Sequence, residues 1–310
     1  MRFARVRSGL RETSHEVIGY ATDESGNVLF SSGDVDRPLF YRSAVKPFQA
    51  LAGQRLGLRL PDEHLAVTCA SHAGYPVHLA TVKQVLADNH LDVAHLQCPP
   101  ARPETESAAG IQTALGRSTP RRIFHNCSGK HAGWLAACAV AGYDTNSYLD
   151  PQHPLQQTNL DVVADVTGID PGPVGIDGCG GPTPQGSVVG LATAFSTLTT
   201  DPEFDRIARA ITRFGPLTSD NIASYGRISA NWGGPSKGGA EGLFAMSRHG
   251  LSIATKSLEG SVDIAVAAAI EIAVALDALP RGTSDWLEDV RHPPVLGGGL
   301  RQGSLELVSL

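Results

Sequence analysis

The chain has no run of Lys or Arg, although its 310 residues include 25 Lys and Arg. The electrostatic footprint of a nucleic-acid binder is therefore missing. No apolar core follows the basic start Met1-Arg2-Phe3-Ala4-Arg5-Val6-Arg7, so no signal peptide is read there. No long stretch is free of charge. The most apolar one, Val262 to Leu279, is broken by Asp263, Glu271 and Asp277 and reads as a buried helix, with no membrane role. There is no internal repeat, low-complexity tract or linker. Cysteines are few, at positions 69, 98, 127, 138 and 179. That odd number without an export signal argues for reduced thiols in a cytoplasmic setting.

What is present suits a folded protein: 42% hydrophobic residues, 18% charged, and a net charge of −6. The length allows one large core, and residues 1–310 are read as a single domain with a helical subregion at about 76–215. The 34 glycines and 20 prolines imply many tight turns and backbone-lined loops. Strand-like runs at Val17–Ala21 and Val28–Ser31 flank a turn, and Leu65–Ala70 reads as a short buried strand. Helical spacing marks Ser43–Leu58, Pro76–Asn89, Glu104–Leu115, Lys130–Ala141, Pro154–Val166, Gln185–Leu198 and Pro202–Arg213. Gly242–Arg248 and Leu251–Lys256, split by His249-Gly250, predict a hairpin, and a long helix follows from Ser261. Strands at both ends with helices between them predict an α/β fold whose N- and C-terminal strands share one sheet.

Six segments carry residues with potential for chemistry. Arg42-Ser43-Ala44-Val45-Lys46 is an S-x-x-K element, which puts a hydroxyl and an amine on one helix face. A helix N-terminus favours negative charge on the serine oxygen and disfavours a cationic lysine, so a desolvated Lys46 can act as a base. A capping serine beside a solvated lysine gives the same spacing. Ser71-His72-Ala73-Gly74 follows the apolar run and offers a second hydroxyl, with His72 read as a surface loop residue. Ser219-Asp220-Asn221 and Lys237-Gly238-Gly239 suggest the S-D-N and K-T-G elements of β-lactamases. Their spacing along the chain differs from that pattern, so Ser219 is read as a helix cap. Finally, His125-Asn126-Cys127-Ser128-Gly129-Lys130-His131-Ala132-Gly133 and Asp177-Gly178-Cys179-Gly180-Gly181 each present a thiol among other ligand types. Cys127 and Cys179 would supply half of a tetrahedral zinc site, with His131 or Asp177 completing it on ordinary ligand chemistry. Two unrelated cysteines in glycine-rich turns are the bland alternative.

Taken in order, the S-x-x-K element with Pro47, the Ser71-His72-Ala73-Gly74 loop, the central nonapeptide, Ile176-Asp177-Gly178-Cys179-Gly180 and Lys237-Gly238-Gly239-Ala240-Glu241-Gly242 resemble the L-asparaginase II family, the rhizobial type. The resemblance spans roughly Arg5 to Gly260. It implies a fold similar to serine β-lactamases and penicillin-binding proteins, a homodimer, and hydrolysis of L-asparagine to L-aspartate and ammonia. It also implies two Ser–Lys tandems, Ser43 with Lys46 and Ser71 with Lys256. The implied zinc ligands are Cys127, Lys130 and Cys179, which puts Lys130 in place of His131. Arg42, His131 and Asp177 then become substrate-binding groups, Arg42 for the α-carboxylate and Asp177 for the α-ammonium. The chain departs from the family at Tyr75, where an acidic residue is usual, and at Ser257-Leu258-Glu259. A glutaminase, a β-lactamase-like hydrolase and an asparagine-binding protein without turnover are the competing expectations.

Overall fold

The computed structural model describes residues 1–219, 225–280 and 286–310. A nine-stranded sheet dominates it. Along its main path the strands run Pro294–Gly297, Leu300–Ser309, Arg2–Arg7, His15–Thr22, Leu251–Ser257, Leu243–Arg248 and Ser236–Gly239. Every pairing is antiparallel, and Val28–Ser32 joins His15–Thr22 off this path. N- and C-terminal strands thus share one sheet, with the helices lying between them in the chain. The fold is α/β as expected, and Arg2–Arg7, Ser236–Gly239, Pro294–Gly297 and Leu300–Ser309 join the sheet beyond the strands read in the sequence.

Side-chain alternation with period two decides what each face holds. Ile18, Tyr20, Leu243, Ala245 and Ala254 turn toward the larger core, which the helix Val188–Thr200 and the middle helices fill. Ala21, Phe244, Met246 and Ile253 turn the other way, against the apolar helix Val262–Ala275. Ser261 caps that helix by accepting from Ile264 N–H. It is the segment the sequence marks as most apolar, and it is too short to cross a membrane; no helix among the described residues is long and apolar enough to do so. The hairpin forms as expected because its turn residues, His249 and Gly250, both take positive φ, at 48° and 81°.

One element differs in kind from its sequence reading. The run Leu65–Ala70 lies mostly in the α-helix Asp62–Thr68 and is not a strand. A short apolar run has no period of its own, and here the helix signals before it prevail: Pro61 at the N-cap position, with Asp62 and Glu63 in the first turn. This helix packs on the helix Ser128–Ala141, which carries most of the central nonapeptide. Gly129 sits at the crossing, and a Cβ there would stand 2.2 Å from Val67 O. No flexible side chain can yield, so the two backbones must part. Gly129→Ala should therefore cost about 3 kcal/mol of stability or prevent folding. Urea unfolding of the variant beside the parent measures this, and an unchanged midpoint would refute the packing argument.

Candidate active site

The S-x-x-K segment forms a 3-10 turn, Arg42–Val45, running into the α-helix Lys46–Arg55 with Pro47 early in its first turn. Lys46 is fully buried. Its amine does not bond Ser43; it reaches across to the next loop, donating to Ala70 O and lying 3.0 Å from Ser71 Oγ. The backbone N–H of Ser71 donates to Thr218 O at 2.9 Å, and that of His72 to Asn126 O at 3.1 Å. The loop bearing Ser71 is thus held between two segments distant in sequence. Ser43 is half-buried, and its hydroxyl makes no hydrogen bond among the described residues.

The second amine on Ser71 comes from Lys237. It lies 2.9 Å from Ser71 Oγ and donates to Gly238 O at 2.8 Å, on a side chain with no exposed surface. The expected tandem of Ser71 with Lys256 is corrected here. Lys256 faces the same side of the sheet, but Lys256 pairs with Leu243, which pairs with Gly239. It therefore stands two strands away from the Lys237 strand, roughly 10 Å at ordinary strand spacing. Its amine donates instead to Glu241 O and to Ser257 O. Spacing along the chain argues against the Lys237-Gly238-Gly239 element. Adjacency in the sheet, which a hairpin partner at Leu243–Arg248 already implies, is the better signal.

Two amines brought to one hydroxyl with little water around them repel each other when both are charged, which favours the neutral form of one. Lys237 is the one pushed that way. Burial, and then the charge of Lys46, push it well below the ordinary lysine value. Glu104, whose carboxyl burial raises, accepts from Asn126 Nδ2 at 3.1 Å and adds a weak opposing field. A serine between two buried amines, one of them biased toward its neutral form, is equipped for proton transfer.

Beside this centre, Arg42 takes a positive φ of 49° and turns its guanidinium to Asp177, with Nε and Nη2 both 2.8 Å from Oδ1. Burial works against the Asp177 carboxylate, but Lys130 and Arg42 outweigh it and hold the pKa below the usual range. Arg42 also meets Glu241 at 3.2 Å. Together Arg42, Asp177 and Glu241 border an open cleft of about 500 Å³. His131 is completely buried and bonds Tyr148 Oη through Nδ1 at 2.7 Å, while its Nε2 has no partner among the described residues. Burial keeps it neutral, well below its ordinary pKa. His72 is no surface residue: it is fully buried, bonded to Ser128 Oγ at 2.8 Å and stacked on His78. Ser219 Oγ accepts from Gly226 N–H near the start of the helix Tyr225–Trp232, whereas Asp220 and Asn221 lie outside the described residues.

Cys127, Lys130 and Cys179 come together as well. Lys130 Nζ lies 3.1 Å from Cys179 Sγ and 4.1 Å from the centre of the Trp134 ring. Hydrogen bonding from Cys127, aided by Lys130, lowers Cys179 to about 5 in spite of burial. Burial tends to neutralise Lys130, but Cys179, Cys127 and Asp177 overcome it and keep its pKa above the ordinary value. Two thiols, one already a thiolate at neutral pH, and one amine suit zinc in kind, provided the amine gives up its proton. Among the described residues no group of three or more His, Cys, Asp or Glu side chains is placed to hold a metal ion. His131 and Asp177 do not complete a conventional set. Cys69, Cys98 and Cys138 are buried as free thiols.

Comparison with known proteins settles the lineage. The family model for L-asparaginase II matches residues 4–307. The chain belongs to the L-asparaginase II family. No curated protein sequence matches the chain. Among solved structures it is similar to Mglu in its native form in the presence of 4.3 M NaCl, at 14% identity and a TM-score of 0.48, covering 86% of this chain and 63% of that one. The chain thus spans less than two thirds of that protein's length. It is also similar to a second Mglu structure, at 13% identity and a TM-score of 0.46, covering 87% and 69%. A third is a serine-to-alanine mutant of the Streptomyces K15 DD-transpeptidase, at 14% identity and a TM-score of 0.43, covering 84% and 97%. The family segments quoted from the sequence meet at the Ser71 centre and at the cleft beside it.

Proposed function

We propose that this L-asparaginase II family member hydrolyses the side-chain amide of L-asparagine through an acyl-enzyme on Ser71. The observation that carries the reading is Ser71 Oγ held 2.9 Å from the Lys237 amine and 3.0 Å from that of Lys46, both lysines fully buried. Neutral Lys237 takes the hydroxyl proton as Ser71 attacks the amide carbon. Protonated Lys237 then gives that proton to the departing nitrogen, which leaves as ammonia. The β-aspartyl ester on Ser71 is cleaved by water, whose proton returns through Lys237 as the Ser71 hydroxyl is restored and aspartate departs. Lys46 adds positive charge where oxygen becomes anionic. Arg42 would take the substrate α-carboxylate and Asp177 its α-ammonium, each exchanging part of the present ion pair for a substrate group.

A second reading has one observation in its favour. Ser43 stands in the opening 3-10 turn with its hydroxyl unengaged among the described residues, so it is free to attack with Ser71 as the proton relay. An electrophilic asparagine analogue followed by peptide mapping separates the two, and the adduct is expected on Ser71.

Cys127, Lys130 and Cys179 would hold a zinc ion. When bound, it supplies fixed positive charge and Lewis acidity beside the substrate-binding loops. The chain's own contribution is to join the loop at Cys179 to the helix Ser128–Ala141 and to keep His131 and Asp177 in place. Ammonia release from L-asparagine and L-glutamine, measured before and after chelation, tests the whole assignment. Turnover of asparagine well above glutamine is expected, with a loss of about tenfold or more after chelation and recovery on adding zinc. No ammonia from either substrate would end the amidohydrolase proposal for this chain, and full activity without metal would remove the zinc role.

A further inference from the structure

The cleft beside Arg42 and Asp177 is larger than one amino acid needs. Its volume of about 500 Å³ falls within the range of sites that enclose much bigger ligands. Two observations describe what it would take. Three large apolar side chains at its rim, Phe40, Ile176 and Leu258, are exposed. Two cations, Arg37 and Lys256, also line it, and neither has a carboxylate partner within ion-pair distance among the described residues. The Lys256 amine has only carbonyl oxygens, of Glu241 and Ser257, as partners. Glu241, Arg37 and Glu259 all lie close enough for their charges to act on that amine, though neither carboxylate reaches it as an ion pair.

An apolar rim with two cations that make no ion pair suits an apolar residue that ends in a carboxylate, although Glu241, which lines the same cleft, opposes part of their field. The cleft shares Arg42 and Asp177 with the substrate site, so the added residue extends from the α-end and not from the leaving nitrogen. Resting on the asparaginase reading, we infer that the cleft is a subsite for a dipeptide: an N-terminal asparagine followed by an apolar residue with a free C-terminal carboxylate. Asp177 keeps the N-terminal ammonium, Arg42 meets the peptide carbonyl, the apolar side chain lies against Phe40, Ile176 and Leu258, and the terminal carboxylate meets Arg37 and Lys256. The reaction is unchanged: ammonia leaves and an aspartyl dipeptide is released.

The test compares ammonia release from L-asparagine, L-asparaginyl-L-leucine and L-asparaginyl-L-leucinamide. The free-acid dipeptide should exceed its amide by about tenfold in kcat/KM, the scale of one charge-assisted contact. That gap should shrink toward one in Arg37→Gln and at high salt. Equal values for acid and amide in the parent, a gap unchanged in Arg37→Gln, or turnover of asparagine without turnover of either dipeptide would overturn the subsite while leaving the asparaginase reading intact. If asparagine itself releases no ammonia, that reading fails, and calorimetric binding of the two dipeptides decides the subsite: a tenfold preference for the acid supports it, and equal or absent binding overturns it.

Discussion

Ser71→Ala is expected to lower kcat for asparagine hydrolysis by about a thousandfold or more, because it removes the oxygen that both buried amines address. The protein should remain folded, since the Ser71 backbone keeps its bond to Thr218 O. Ser43→Ala should cost far less. Its hydroxyl contributes no hydrogen bond among the described residues, so a loss of about tenfold would reflect local repositioning of Lys46 and Arg42. Steady-state ammonia release by the two variants measures the contrast. The reverse order of effects would hand the nucleophile to Ser43, and near-full activity in both would remove the covalent mechanism.

Lys237→Met should be almost as damaging, by about a thousandfold, because it takes away the neutral base while preserving much of the side-chain volume. For asparagine, Lys256→Met should stay within about tenfold, since the Lys256 amine bonds the Glu241 and Ser257 carbonyls and stands two strands from the strand of Lys237. The pH profile supplies an independent check. Burial favours the uncharged form of Lys237 and lowers its pKa, so the working form is populated from lower pH than for an exposed lysine. The sign follows: kcat/KM rises with pH as Lys237 loses its proton, on a limb lying well below the ordinary lysine range. Removing a neighbouring positive charge, as in Lys46→Met, should move what remains of that limb to higher pH, because the charge of Lys46 contributes to the lowering. A limb centred at the ordinary lysine value, or equal losses in Lys237→Met and Lys256→Met, would contradict the assignment.

The parts of the fold that are legible in the sequence are those whose signals are local. His249-Gly250 announces its hairpin because a two-residue turn needs positive φ, and Ser261 announces its helix because a hydroxyl before an apolar run caps it. Leu65–Ala70 reads wrongly as a strand because so short an apolar run lacks a period, although Pro61, Asp62 and Glu63 ahead of it favour a helix. At the site, Ser71, Lys46, Arg42 and Asp177 can be picked out as residues, and the structure brings them to one centre and its adjoining cleft. The second lysine cannot be chosen from distance along the chain. Lys237 and Ser71 are 166 positions apart, yet their polar atoms touch, because the strand bearing Lys237 packs against the 3-10 turn that begins at Arg42. His72 misleads for a related reason: a polar residue in a loop between Ser71 and Ala73-Gly74 reads as exposed until the elements that bury it are known.

Arg2–Arg7 lies directly beside Leu300–Ser309, pairing from Arg2 with Ser309 to Arg7 with Gly303. A nascent chain still on the ribosome therefore cannot seat Arg2–Arg7 against Leu300–Ser309 until that much later segment has emerged. The opening segment must wait through synthesis with an edge exposed, which makes this stage the point where chaperones or misassociation would act.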